Sequence, residues 1–288
     1  MSKLSGVIPA IPTPLLKNED LDVESLRKII NYTIEQGVSG IFVLGNMGEG
    51  TALLDSVKLA AVETAARHIN GRVPLMAACS DGSTRRTIEL GKKIQDSGAD
   101  YLVSTTPYYY SFPHQPCIID YFDKVSNALD KPLLFYNNPG STGNKISSET
   151  LEIILNMDNV AGVKDSSGDI HVAMDILRKY PDKENRPFSF LYGDETVYDI
   201  ILLLGADGIV TGGGTCFLDT LVKLYEVAMA GDKTKAFELQ KQFWMEMKEM
   251  LGPDLIIDWM AAIKTNLKNK GLCENYCTHP FINRMITN

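Results

Sequence analysis

Two residues of this chain stand where an apolar run stops and a polar turn begins. Val160-Ala161-Gly162-Val163 ends in Lys164, ahead of Asp165-Ser166-Ser167-Gly168, and Leu133-Leu134-Phe135 ends in Tyr136, ahead of Asn137-Asn138-Pro139. Both runs have the length and residue types of buried strands. A lysine at such an end either extends its ammonium to solvent along an apolar stem or stays in a dry pocket as a free amine able to add to a ketone. The second use needs a lysine that titrates at roughly 7 to 8 instead of about 10.4. A phenol next to an imine-forming lysine can carry protons, whereas the plainer role of a buried tyrosine is a single hydrogen bond. Side chains alternate along a strand, so Lys164 shares a face with Gly162, which is expected to leave room for the lysine stem.

Four other segments carry polar groups after apolar runs. In Gly45-Asn46-Met47-Gly48-Glu49 two glycines bracket a turn whose N–H groups could grip a carboxylate, unless it is a simple turn. Thr106-Pro107-Tyr108-Tyr109-Tyr110 offers an aromatic loop that suits a pocket or a subunit interface. Gly193-Asp194-Glu195 either binds substrate hydroxyls or caps a helix. The run through Val210 leads into Thr211-Gly212-Gly213-Gly214-Thr215, a weak phosphate-binding signal.

The elements that must position these groups repeat as strand then helix. Strands are expected over 6–11, 40–44, 74–79, 101–104, 133–136, 160–164, 188–192 and 206–211. Helices are expected between them over 22–36, 55–69, 83–97, 115–129, from Ser147 or Ser148, and over 170–180, 195–204 and 218–230, with Asp22 as the first N-cap. Eight such units without a linker imply a closed (β/α)8 barrel, whose chemistry sits at the strands' carboxyl ends. Two more helical stretches, 232–251 and 254–268, are additional C-terminal helices. The division expected is a barrel over residues 1–230 and a helical extension over 231–288 packed on it.

A chain of 288 residues fits such a barrel, and 44% hydrophobic with 22% charged residues is ordinary for a globular protein. The formal charge of −8 argues against nucleic acid or an anionic membrane as the main partner. Cys79, Cys117, Cys216, Cys273 and Cys277 are scattered and read as reduced thiols of a cytoplasmic protein. Cys273, Cys277 and His279 match no standard zinc spacing, and no apolar run is long enough to span a bilayer. No P-loop or dinucleotide fingerprint is present.

Taken together, Gly45-Asn46-Met47-Gly48-Glu49, Pro107-Tyr108-Tyr109, Tyr136-Asn137-Asn138-Pro139 with Thr142-Gly143, Gly162-Val163-Lys164 and Gly205-Ala206-Asp207-Gly208 resemble, in order, the motifs of the pyruvate-dependent class I aldolases. That family includes N-acetylneuraminate lyase and dihydrodipicolinate synthase. The resemblance implies a homotetramer, a dimer of dimers, with Lys164 as the Schiff-base residue, Tyr136 as the proton-transfer residue, and no metal or organic cofactor. Substrate contacts are expected from Asn46, Met47, Tyr109, Asp194, Glu195 and Val210. Tyr109 corresponds to a tyrosine that in synthase relatives reaches in from a neighbouring subunit.

The departures from the family pattern point to the substrate. Family members carry hydroxyl residues at the positions of Asn46 and Met47, and Met47 cannot relay a proton. Synthases carry an arginine where this chain has Ser141, so a bidentate carboxylate partner is lost. Asp194 and Glu195 look like the acidic pair with which sialic acid lyases contact sugar hydroxyls, while a hydroxyl of those lyases is replaced by glycine near Gly212. The expectation is a lyase releasing pyruvate and an aldehyde from a 2-keto-3-deoxy sugar acid. Its alternatives are a synthase-type condensation of pyruvate with an aldehyde, a dehydratase on the same scaffold, and a keto-acid-binding relative without activity.

Overall fold

The computed structural model describes residues 3–252 and 259–281. Eight short strands, β1 (Gly6–Pro9), β2 (Ile41–Val43), β3 (Leu75–Ala78), β4 (Tyr101–Thr105), β5 (Leu133–Asn137), β6 (Val160–Asp165), β7 (Ser189–Tyr192) and β8 (Gly208–Thr211), pair in parallel. Their order runs from β2 through β8 to β1, and a parallel bridge between Ala10 and Phe42 joins the two ends. The expected TIM barrel is the fold of this chain.

Each strand is buried on both faces, which explains why the runs read as apolar without alternation. Ile8, Phe42, Met76, Val103, Leu134, Tyr136, Leu191 and Val210 fill the barrel interior, and a larger apolar layer lies between strands and helices. The connecting helices are α1 (Val23–Glu35), α2 (Asp55–Ile69), α3 (Thr84–Asp96), α4 (Gln115–Ala128), the single turn α5 (Pro139–Thr142), α6 (Ser148–Leu155), α7 (Ile170–Lys179), α8 (Tyr198–Leu203) and α9 (Leu218–Met229). Asp22 caps α1 by accepting the Ser25 N–H, as its position predicts, and Leu26, Ile29 and Ile30 form the buried stripe.

Two boundaries depart from expectation near the barrel mouth. The turn α5 was not anticipated, because Pro139 fits the first position of a helix but the following Gly-Ser-Thr is a weak helix former. The helix expected from Glu195 begins only at Tyr198, because Asp194 and Glu195 are engaged elsewhere.

Two further helices follow, α10 (Lys233–Leu251) and α11 (Trp259–Asn269). Residues 254–258 of the expected last helix lie outside the described residues. Buried Leu239, Phe243, Met247 and Leu251 seat α10 against α8 and α9, and Ala261, Ile263 and Leu267 seat α11. The chain after α11 is tied back to the mouth by Glu49. This carboxylate, wholly buried, accepts bonds from Lys264, from the Thr278 N–H at 2.6 Å and from the Thr278 hydroxyl at 2.7 Å. Among the described residues no helix is long and apolar enough to cross a membrane.

Candidate active site

Lys164 and Tyr136 are partners in the register of β5 and β6, so two side chains predicted from separate runs meet inside the barrel mouth. Lys164 is 5% exposed, and its Nζ lies 4.0 Å from the centre of the Tyr136 ring and 5.1 Å from that of Phe42. Phe42 stands edge-on to Tyr136 at 6.4 Å. Among the described residues Lys164 has no ion-pair partner within 4.0 Å, and two aromatic rings stand beside the amine.

Room for the lysine stem comes from a different glycine than expected. A Cβ at Gly162 would lie 2.1 Å from the Ser189 carbonyl oxygen, so Gly162 serves the close approach of β7. At Gly193 a Cβ would lie 3.1 Å from Lys164 Cε and 2.1 Å from Ser166 Oγ, which makes Gly193 the residue that clears the lysine's path.

The segment after β2 forms a short 3-10 turn over Asn46–Gly48. Gly48, Glu49 and Gly50 direct their N–H groups back to Gly45 and Asn46, while the N–H groups of Asn46 and Met47 lead the turn and have no carbonyl within it to bond. Leu44 and Glu49 on either side adopt left-handed backbone, at φ of 61° and 55°, a local strain that the buried Glu49 contacts hold in place.

A cavity of about 320 Å³ opens over Lys164. Asn46, Met47, Tyr136, Asp194, Glu195 and Val210, all expected at the site, line it. Trp259 of α11 joins them, a contribution that no motif announced. Asn46, Met47 and Tyr136 also face a second space of about 310 Å³ that extends toward Tyr108 and Phe281.

The acidic pair divides its work. Asp194 accepts the Thr196 N–H at 3.0 Å and hydroxyl at 2.7 Å, a local turn that stops the next helix from starting here. Glu195 is buried, and its Oε1 accepts from the Thr211 hydroxyl and from the N–H groups of Gly212 at 2.9 Å and Gly214 at 3.1 Å. It thereby pins the glycine loop after β8. Its Oε2 is buried with no partner, and burial raises the carboxyl above its ordinary pKa despite the bonds and the Lys164 charge.

Tyr109 does not line this cavity in its own chain. It is 87% exposed, with left-handed backbone at φ 80°, and its ring meets Tyr110 edge-on at 4.9 Å. One cluster was not anticipated as a unit, although Asn46 and Ser141 were each singled out. Asn138 Nδ2 donates to the Tyr136 hydroxyl at 3.0 Å and to Ser141 Oγ at 3.0 Å, and Asn46 Nδ2 donates to the same Ser141 oxygen at 2.9 Å. Among the described residues no group of three or more His, Cys, Asp and Glu side chains is arranged to hold a metal.

Known proteins share this arrangement of chain. A 4-hydroxy-tetrahydrodipicolinate synthase of Parabacteroides distasonis is 30% identical over 286 residues, 99% of this chain and 93% of the relative. The dihydrodipicolinate synthase of Bacteroides thetaiotaomicron superposes with a TM-score of 0.89 at 32% identity, covering 98% of this chain and 94% of that one. The synthase of Acinetobacter baumannii, solved with pyruvate, gives 0.90 at 28% identity, with 99% and 95% covered. These names favour the synthase-type alternative over the expected cleavage of a sugar acid. The dihydrodipicolinate synthetase family model matches residues 3–285. The chain is therefore a pyruvate-dependent enzyme of the class I aldolase type, in which a lysine forms a covalent imine and no cofactor is used, and it belongs to the dihydrodipicolinate synthetase family.

Proposed function

We propose that Lys164 is the imine-forming lysine and that the enzyme joins pyruvate to an aldehyde. The observation that carries this reading is the buried amine 4.0 Å from the Tyr136 ring, without an ion-pair partner among the described residues. Lys164 adds to the C2 ketone of pyruvate and water is lost. The protonated imine then acts as an electron sink, so a C3 proton can leave and the resulting enamine carbon attacks the aldehyde. The leading N–H groups of Asn46 and Met47 hold the pyruvate carboxylate, and Tyr136 passes a proton to the new alkoxide. Water releases the product from Lys164.

Cleavage of a 2-keto-3-deoxy sugar acid is the same sequence run backwards, and one observation supports it as a second reading. Ser141 stands where synthases hold a carboxylate with arginine, and the unpartnered Oε2 of Glu195 suits a hydroxyl donor. Condensation is read from pyruvate consumption with a panel of aldehydes and from rescue of a strain lacking the lysine-pathway synthase. Cleavage is read from pyruvate release out of a panel of sugar acids. Activity in neither panel refutes both.

The assembly proposed is a homotetramer, supported by the exposed Tyr109 and Tyr110 rings on a strained loop, with Tyr109 completing a neighbour's site. Light scattering that reports a monomer at working concentration refutes it. Cys79, Cys117, Cys216 and Cys273, none of them in a disulfide, support a cytoplasmic location.

A further inference from the structure

The Asn46, Ser141 and Asn138 cluster has a fixed polarity. An amide Nδ2 can only donate, and a hydroxyl both donates and accepts. Asn138 spends its two N–H groups on Tyr136 at 3.0 Å and Ser141 at 3.0 Å, and Ser141 takes a second N–H from Asn46 at 2.9 Å. Both hydroxyl oxygens are therefore acceptors in the cluster, and both hydroxyl protons are left to point away from it. Tyr136 lines two cavities, one of which it shares with Lys164.

Resting on the pyruvate chemistry proposed above, we propose that Asn138 is a positioning residue for proton transfer by Tyr136, and that Ser141 and Asn46 hold Asn138 in its donating orientation. This cluster replaces the hydroxyl relay that Asn46 and Met47 no longer supply. An N–H bond to the phenol oxygen favours the anion when Tyr136 takes the C3 proton of the pyruvyl imine. In that step the C3–H pair becomes the C2–C3 double bond and the C–N double-bond pair returns to nitrogen. Reprotonation by the phenol reverses it. Among the described residues the groups placed against Tyr136 are Lys164 from β6, the uncharged Phe42 ring from β2 and the Asn138 amide; Tyr198 of α8 also senses its charge.

The test uses the full chain and pyruvate in D2O, following deuterium entry at C3 by NMR across pH, with borohydride trapping of the imine as a separate readout. Asn138→Asp is isosteric but only accepts near neutral pH, so it holds the phenol proton inside the cluster. It is expected to trap pyruvate at Lys164 as wild type does. Its C3 exchange should slow about tenfold, the worth of one hydrogen bond to a charged group, and the rising limb of the profile, along which phenolate forms, should move up by about one pH unit. Asn138→Leu, with no polar group, should also slow exchange, and it decides the matter if the aspartate variant does not fold. Exchange at the wild-type rate and pH profile in a variant that still traps pyruvate overturns the inference. Failure of the wild type to trap pyruvate refutes instead the imine chemistry on which the inference rests.

Discussion

Met47 occupies the space in which a side chain at Gly212 would have to stand. A Cβ built on Gly212 would lie 2.5 Å from Met47 Cγ and 3.2 Å from its Sδ. The two departures from the family pattern, a lost hydroxyl at 47 and a glycine after β8, are thus one compensated exchange of volume across the barrel mouth. Gly212→Ser alone should press on Met47 and reduce turnover, whereas Met47→Thr alone should leave a void. The double variant should recover much of the loss, with a coupling of about 0.5 to 3 kcal/mol in a double-mutant cycle of activity or stability. Strictly additive effects would contradict the contact.

Glu49 and Lys264 join the turn after β2 to the C-terminal helices, and both side chains are fully buried. Removing one partner leaves an unpaired buried charge. Lys264→Met should therefore cost about 3 to 5 kcal/mol in denaturant unfolding, far more than any exposed pair such as Arg85 with Glu89. The same change should raise the KM for pyruvate, because Glu49 sets the left-handed backbone that ends the turn. A loss below about 1 kcal/mol, the range of a surface pair, would contradict this role.

Asp165, next to Lys164 but facing the helix layer, is fully buried. Its Oδ1 accepts from Asn137 at 3.1 Å and from the Ser167 N–H at 2.9 Å, while Oδ2 has no partner. Burial dominates and pushes the carboxyl up to about 6. The fold thus favours the neutral acid. Stability from this group is full below the unfolded value of about 3.9 and is lost as pH rises through about 6, by roughly 3 kcal/mol. Urea unfolding of wild type minus that of Asp165→Asn should show this decline between about pH 4 and 6. A flat difference would contradict the shift.

The barrel was legible because its strands are continuous apolar runs and its helices carry 3.6-residue stripes; α2 spans Asp55–Ile69, as its pattern predicts. Lys164 and Tyr136 were legible because each closes such a run, and parallel register then brings them together. What stayed hidden depends on contacts remote in sequence. Lys264 reads as one more charge on an amphipathic helix until the fold lays it on Glu49. The role of Gly162 was misread since alternation along one strand says nothing of the neighbouring backbone, here Ser189. Asn138 reads as part of a polar turn and Ser141 as a missing arginine, and neither reading says where the two side chains point.

The central claim is that Lys164 forms an imine with pyruvate, and reduction in place tests it most directly. The protein is incubated with pyruvate, treated with borohydride, and read by intact and peptide mass spectrometry. A single reduced pyruvyl adduct on Lys164, absent from Lys164→Ala, is the predicted result. No adduct under conditions that label a known family member, or an adduct on another lysine, would contradict the account.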